Sequence, residues 1–186
     1  MKKVVFLFFV VLSFSNNIFA QEEISSLDVA IDALYIDPII DHLVYNEISF
    51  SLNINEDLSI RIPLNAIIPT TNQIDLIGLG VSLDILYRPF FNGFLVSFSL
   101  VKVEYLKGYD APYENIQYLN KLAFGYTFDI NKNFYIEPSI SFFNLNGIYE
   151  DSILTLKESF GDFSSIRPSI LVGYKIMEFK NDKEEG

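Results

Sequence analysis

The chain has 186 residues, half of them hydrophobic and 16% aromatic, with 18 Phe and 11 Tyr; this is enough for one packed domain and too apolar for disorder. Its formal charge is −11, which argues against nucleic acid, whose phosphates need cationic partners. With no Cys and one His, it has no disulfides, thiolate metal sites, thiol nucleophiles or His-based metal cluster, and no cofactor is expected.

Met1-Lys2-Lys3 is a short basic start. Val4 to Leu12 is an unbroken apolar run, followed by polar Ser13 to Asn17 and then Ile18-Phe19-Ala20. This is the layout of a secretory signal peptide cleaved after Ala20. The run is too short for a spanning helix, which takes about 20 apolar residues. The expected organisation is a signal peptide over 1–20, one domain over 21–179 and a charged tail over 180–186. No later segment reaches the length of a transmembrane helix, so any membrane span must be made of strands.

Leu27 to Ile36 reads as a first strand, with Val29, Ile31, Ala33 and Tyr35 on one face and Asp28, Ala30, Asp32 and Leu34 on the other. Asp37-Pro38 breaks it. Val44 to Ile54 is the second, Ile48, Phe50 and Leu52 opposing Glu47, Ser49 and Ser51. Asn55-Glu56-Asp57 is a tight turn. Leu58 to Ala66 is the third, Ile60, Ile62 and Leu64 opposing Arg61, Pro63 and Asn65. Ile74 to Arg88 alternates Leu79, Val81, Leu83 and Ile85 with Gly80, Ser82 and Asp84. Phe94 to Leu106 changes phase midway, which predicts a bulge near Leu100. Lys107 to Gln117 is expected to be a loop carrying Tyr109 and Tyr113.

Leu122 to Phe143 is a hairpin. Leu122, Phe124, Tyr126, Phe128 and Ile130 lead into Asn131-Lys132-Asn133, and Phe134, Ile136, Ile140 and Phe142 follow. Between them lie small or polar residues, among them Gly125, Asp129, Glu137 and Ser141. Asn144 to Ser165 is expected to be the longest loop, rich in acid through Glu150, Asp151, Glu158 and Asp162. Ile166 to Ile176 is the eighth strand. Pro63 and Pro138 stand inside strands, where Pro marks a bulge or a break.

Eight strands joined by alternating short and long connections predict an all-β, antiparallel up-and-down barrel. Its orientation follows from the faces. The polar face is rich in Gly, Ser and Ala, which suit the narrow interior of an eight-stranded barrel. Its charges are sparse and of both signs: Glu47, Arg61, Asp84, Arg88, Asp129, Glu137, Arg167 and Lys175. Aromatic residues near strand ends, including Tyr35, Tyr45, Tyr87, Phe90, Phe91, Tyr105, Tyr118 and Phe134, match interfacial girdles. The apolar face is therefore expected to meet lipid and the polar face a filled interior, the reverse of a soluble ligand-binding barrel.

The leader, the eight alternating strands and the final Leu171-Val172-Gly173-Tyr174-Lys175-Ile176 resemble the small outer-membrane β-barrels of the OmpX and OmpA-membrane-domain type. The resemblance implies a bacterial outer-membrane location, contact with outer-membrane lipid and assembly by the barrel-assembly machinery. In that family a terminal aromatic is read by this machinery; here Phe179 is followed by seven more residues.

No catalytic, cofactor or metal residue is expected. His42, beside Asp41, is the sole histidine. Some eight-stranded barrels modify lipid A with a His–Ser pair, but no motif ties Ser49 or Ser51 to His42. Gly78-Leu79-Gly80 lies inside a strand and is no phosphate loop. Asp28 and Asp32 lack an oxygen-rich calcium loop. The leading expectation is a monomeric, non-enzymatic barrel that supports the envelope or contacts extracellular or host partners through loops 107–117 and 144–165. The alternatives are a lipid-A-modifying enzyme using His42 and a small pore.

Overall fold

The computed structural model describes residues 26–34, 43–69, 76–89, 93–108, 114–161 and 163–178. The leader, Tyr35, His42, Phe90, Phe91, Tyr109, Tyr113, Phe179 and the tail lie outside these residues. The strands are β1 (Ser26–Asp32), β2 (Leu43–Asn53), β3 (Leu58–Pro69), β4 (Leu76–Tyr87), β5 (Phe94–Gly108), β6 (Glu114–Tyr126), β7 (Phe128–Asp129), β8 (Phe134–Phe143) and β9 (Ile166–Glu178). Each pairs antiparallel with its neighbours, and β1 pairs with β9. β6 also pairs with β8, which closes the sheet on itself. β6 and β7 share one register along β8 and form a single interrupted stave, so the barrel has eight staves. Closure satisfies backbone groups from stave to stave, which a strand structure in lipid requires.

Two of the in-strand prolines, Pro63 and Pro138, explain the breaks in the ladder. In the register that runs from Gly125↔Ser139 to Phe128↔Ile136, Pro138 stands opposite Tyr126. It has no N–H to give, and the stave breaks there. The Thr127 N–H donates instead to the Gly93 carbonyl at 2.6 Å. Likewise the β3–β4 ladder stops at Arg61↔Asp84 and resumes at Leu64↔Val81, skipping Pro63. The phase change in β5 is a bulge: Leu83 pairs with Val101 and Asp84 with Ser99, leaving Leu100 over. Leu100 and Val101 are consequently both exposed.

Two of the tight turns are built alike. In Ile54–Leu58, Asn55 Oδ1 accepts from the N–H of Asp57 (2.9 Å) and Leu58 (2.7 Å). In Ile130–Phe134, Asn131 Oδ1 accepts from Asn133 and Phe134, both at 2.9 Å. Each side chain caps its own turn, the reason Asn is favoured there. These turns, the β4–β5 connection, Ser26 and Glu178 all lie at one end. The β1–β2, β3–β4, β5–β6 and β8–β9 connections lie at the other, β1–β2 and β8–β9 being the longest of all.

The faces are those the alternation predicts. Leu79, Val81, Leu83, Phe98, Phe124, Ile140 and Val172 are exposed on the outer wall, while Ser49, Ser59, Asp84, Ser99, Glu104 and Glu137 are buried inside. A soluble protein does not turn its aliphatic residues outward around a charged core. The outer wall is a lipid-facing belt. At the short-turn end its rim carries close, tilted ring pairs, Tyr126–Phe128 with centroids 4.5 Å apart and Phe134–Tyr174 at 4.8 Å. Tyr87 and Tyr118 are exposed as girdle residues should be, but Tyr45 is not one of them: it is buried in the lumen.

Two of the expected loops are different structures. β5 continues to Gly108 and β6 starts at Glu114, so most of 107–117 is strand. The two staves pair out to Lys107↔Glu114, whereas β6 meets β8 only from Lys121↔Phe143 downward. The β5–β6 hairpin therefore rises above the rim at β8. Within 144–165 lies a helix, α1 (Glu150–Phe160), set against that rising wall. Acidic Glu150 and Asp151 in its first turn and Lys157 in its last suit the helix dipole. Gly161, at φ 66°, ends it and donates its N–H to the Lys157 carbonyl at 2.7 Å.

Candidate functional site: the lumen and its helical cap

The inner face of the staves places charged side chains in tiers along the barrel axis. Nearest the short turns, Asn53 Nδ2 donates to Asp28 Oδ2 (2.7 Å) and to Ser26 Oγ (2.6 Å), and Arg88 Nη1 donates to Ser59 Oγ (2.7 Å). Deeper in, Arg61 of β3 reaches across the barrel to Glu137 of β8. The pairing is bidentate, Nη1–Oε1 at 2.6 Å and Nη2–Oε2 at 2.9 Å, and Nε donates to Ser51 Oγ at 2.9 Å. β3 and β8 lie on opposite sides of the ring. The pair is thus a strut across the lumen, in the planar geometry at which Arg excels.

Two further ion pairs fill the same core. Lys121 Nζ sits 2.6 Å from Asp84 Oδ2, whose other oxygen accepts from Ser99 Oγ at 2.6 Å. Lys102 Nζ lies 2.7 Å from Glu104 Oε1, 2.8 Å from Asn65 Oδ1 and 3.2 Å from the Tyr45 hydroxyl. Asn65 Nδ2 returns hydrogen bonds to both Glu104 oxygens. Gly80 has no side chain here because a Cβ would collide with Asn65 and Glu104. The Arg167 guanidinium lies 3.1 Å from the centroid of the Tyr45 ring. Full pairing is what makes buried charge tolerable; a single unmatched ion in this volume is costly.

Above the Lys102 tier the lumen turns apolar. Tyr45, Ile67, Leu106, Leu119 and Phe143 point inward at the tops of their staves and meet Ile153, Leu156 and Phe160 of α1, with Phe163 beside them. The spacing Ile153–Leu156–Phe160 sets all three on one side of the helix. Leu156 and Phe160 are almost entirely buried. α1 is therefore a hydrophobic cap on the mouth at the long-connection end. The opposite mouth opens into a vestibule of about 840 Å³ lined by Asp28, Asp57, Arg88, Asp129, Tyr135 and Lys175. Between vestibule and cap lies a void of about 30 Å³, room for about one or two waters.

Of the interior charges expected from sequence, Arg61, Asp84 and Glu137 sit in the core and Glu47 and Arg167 line the small void. Arg88 and Lys175 line the vestibule. Asp129 does not face the filled interior; its side chain is 64% exposed at the vestibule rim, 3.5 Å from Lys175. Lys102, Glu104 and Lys121 were absent from the expected set and form two of the three closest pairs. Ser49 and Ser51 are fully enclosed, with Ser51 engaged by Arg61. His42 lies outside the described residues. Among the described residues no group of three or more His, Cys, Asp or Glu is arranged to hold a metal ion.

No protein-family model matches the chain, and no curated protein matches it by sequence. Solved structures do match. The N-terminal β-barrel domain of Pseudomonas aeruginosa OprF is 13% identical, with TM-score 0.52, covering 84% of this chain and 100% of that one. Ail, the attachment invasion locus protein of Yersinia pestis, is 9% identical, with TM-score 0.41, covering 83% and 99%. The likeness to the OprF domain is one of fold: this chain shares its small closed β-barrel.

Proposed function

We propose that the protein, delivered by the leader 1–20, is a non-enzymatic barrel of the bacterial outer membrane that serves the envelope as a sealed, membrane-anchored scaffold. The observation that carries this reading is the filled lumen. Three buried ion pairs, one of them braced across the barrel, occupy the core, and α1 covers one mouth. In such a lumen the charges of the described residues are taken up by internal struts, which argues against the pore. The lipid-A reading would need a serine open to lipid, and Ser49 and Ser51 face inward. The test is conductance in planar bilayers alongside envelope permeability of a deletion strain. The scaffold reading expects no persistent large conductance and a leakier or more detergent-sensitive envelope after deletion. Steady conductance by the wild-type chain would overturn it.

Surface contact is a second reading, favoured by the β5–β6 hairpin that rises above β8. Ile116 and Tyr118 are about half exposed on its outer side. Tyr is enriched at partner interfaces. Binding of cells producing the protein to host surfaces, lost on shortening the hairpin between Lys107 and Asn115, is the expected outcome.

A further inference from the structure

The connection from β8 to α1 is a fixed turn that presents two large aliphatic side chains outward. Leu145 is 60% exposed and Ile148 72%, the latter among the most exposed large hydrophobic residues described. The turn is not loose. Asn144 takes φ 56° and Gly147 φ 70°, and the Gly147 N–H donates to the Asn144 carbonyl at 3.1 Å. Asn144 Oδ1 accepts from the Tyr149 N–H at 2.9 Å, and Asn146 Oδ1 from the Ile148 N–H at 3.2 Å. Three local hydrogen bonds thus fix the turn that carries Leu145 and Ile148.

The direction of the turn is set by β6. The Asn144 N–H donates to the Asn120 carbonyl at 3.1 Å, and Asn120 Nδ2 donates to Asn146 Oδ1 at 2.8 Å. Asn120 stands in the outward row of β6, between Tyr118 and Leu122, the row that carries exposed Ile116 and Phe124. Asn146 is therefore tied to the lipid side of the wall. Leu145 and Ile148 flank it, just above the rim where outward Phe142 pairs with outward Ile166. The lipid-facing surface continues upward onto this turn. The outward side of α1 is different in kind, carrying Glu150, Asp151, Lys157 and Glu158 around a half-exposed Leu154.

We infer that the turn Asn144–Tyr149 is a lipid anchor, with Leu145 and Ile148 seated in the leaflet at the long-connection end while the acidic side of α1 faces water. The occupant is bilayer lipid because the patch is continuous with the belt, is small, and is bounded by carboxylates on its other side. Apolar side chains beside a bilayer bury themselves at its acyl boundary, and charged ones stay out. The cap then hangs between two fixed points, its apolar face in the lumen and its leading turn in the membrane. This inference rests on the membrane-barrel reading above.

The chain has no Trp, so one introduced indole reports alone. Ile148→Trp, Glu158→Trp and Leu83→Trp are prepared separately in vesicles of phosphatidylcholine, with and without acyl-brominated lipid. Each is first checked for the heat-modifiable gel mobility of a folded barrel. The inference expects Ile148→Trp to emit to the blue of Glu158→Trp and to be quenched by brominated lipid, as Leu83→Trp in the belt is. Glu158→Trp is expected to be quenched by aqueous iodide instead. Water-like emission from Ile148→Trp with Leu83→Trp still quenched overturns the anchor and leaves the barrel standing. If Leu83→Trp also escapes the lipid quencher, the membrane reading itself fails. If Ile148→Trp does not fold, Leu145→Trp is read by the same criteria.

Discussion

Glu137→Gln is the most informative single change in the lumen. The side chain keeps its shape and loses its charge. Arg61 is then left with a guanidinium whose side chain is only 6% exposed, and with Arg88 in the next tier to repel it. Removing one partner of a buried pair destabilises by about 3–5 kcal/mol, because the remaining ion has no return for its lost hydration. The double variant Arg61→Met/Glu137→Leu removes both charges. Such replacements are neutral to stabilising by about 1–4 kcal/mol. Here Ser51 and Thr127 also lose a partner, at about 1 kcal/mol for each hydrogen bond, so the double variant is expected to lie near wild type. The assay is urea unfolding of the barrel in lipid vesicles, followed by far-ultraviolet circular dichroism and by gel mobility without heating. A cost below about 1 kcal/mol for Glu137→Gln refutes the reasoning, since it means that the guanidinium is hydrated and the lumen is wet.

Other consequences are independent of that pair. At Gly173 an added Cβ falls on the Tyr135 ring. Gly173→Ala is therefore expected to cost about 1–3 kcal/mol by overpacking, and to cost nothing measurable in a Tyr135→Ala background, by the same unfolding assay. Leu156→Ala opens the apolar seal beneath α1, where Leu156 is fully buried; about 2–5 kcal/mol of local stability is lost. Limited proteolysis should then cut within 150–160 while the barrel keeps its folded gel mobility. Gly161→Ala places a Cβ at φ 66° and is expected to fray the end of α1 by about 1 kcal/mol, read as faster amide exchange in its last turn.

Which parts of this architecture were legible in sequence follows from the range of the interactions. Alternation is local, so the faces of β2, β3, β4 and β8 were readable residue by residue. The bulge was readable because Leu100 and Val101 put two apolar residues in succession between opposite phases. The turns were readable because Asn55 and Asn131 act on their own backbone. Cross-lumen partners were not: Arg61 and Glu137 are 76 residues apart and meet only when the ring closes. Lys121 was missed because the strand before it was expected to be loop, although it is strand from Glu114 onward.

α1 was missed for a related reason. Its acidic residues resemble a solvated loop, and its apolar side is complete only against Tyr45, Ile67, Leu106 and Leu119 on four other staves. A signal was nonetheless present. The polar-inward rule fails at the top of these staves, where Ile67, Leu106 and Leu119 point into the lumen, and such a cluster requires an apolar cover. Tyr149, Ile153, Leu156 and Phe160 have helical spacing, and Gly161 follows them. Read together, these two patterns predict a helix over the mouth.

The central claim is that the aliphatic face of the barrel meets lipid and its charged face is the core. Refolding the purified chain with and without detergent or lipid tests it most directly. The claim predicts that β-structure forms only with detergent or lipid, giving a species whose gel mobility shifts on heating. A monodisperse monomer in detergent-free buffer, with the same β-content, would contradict it.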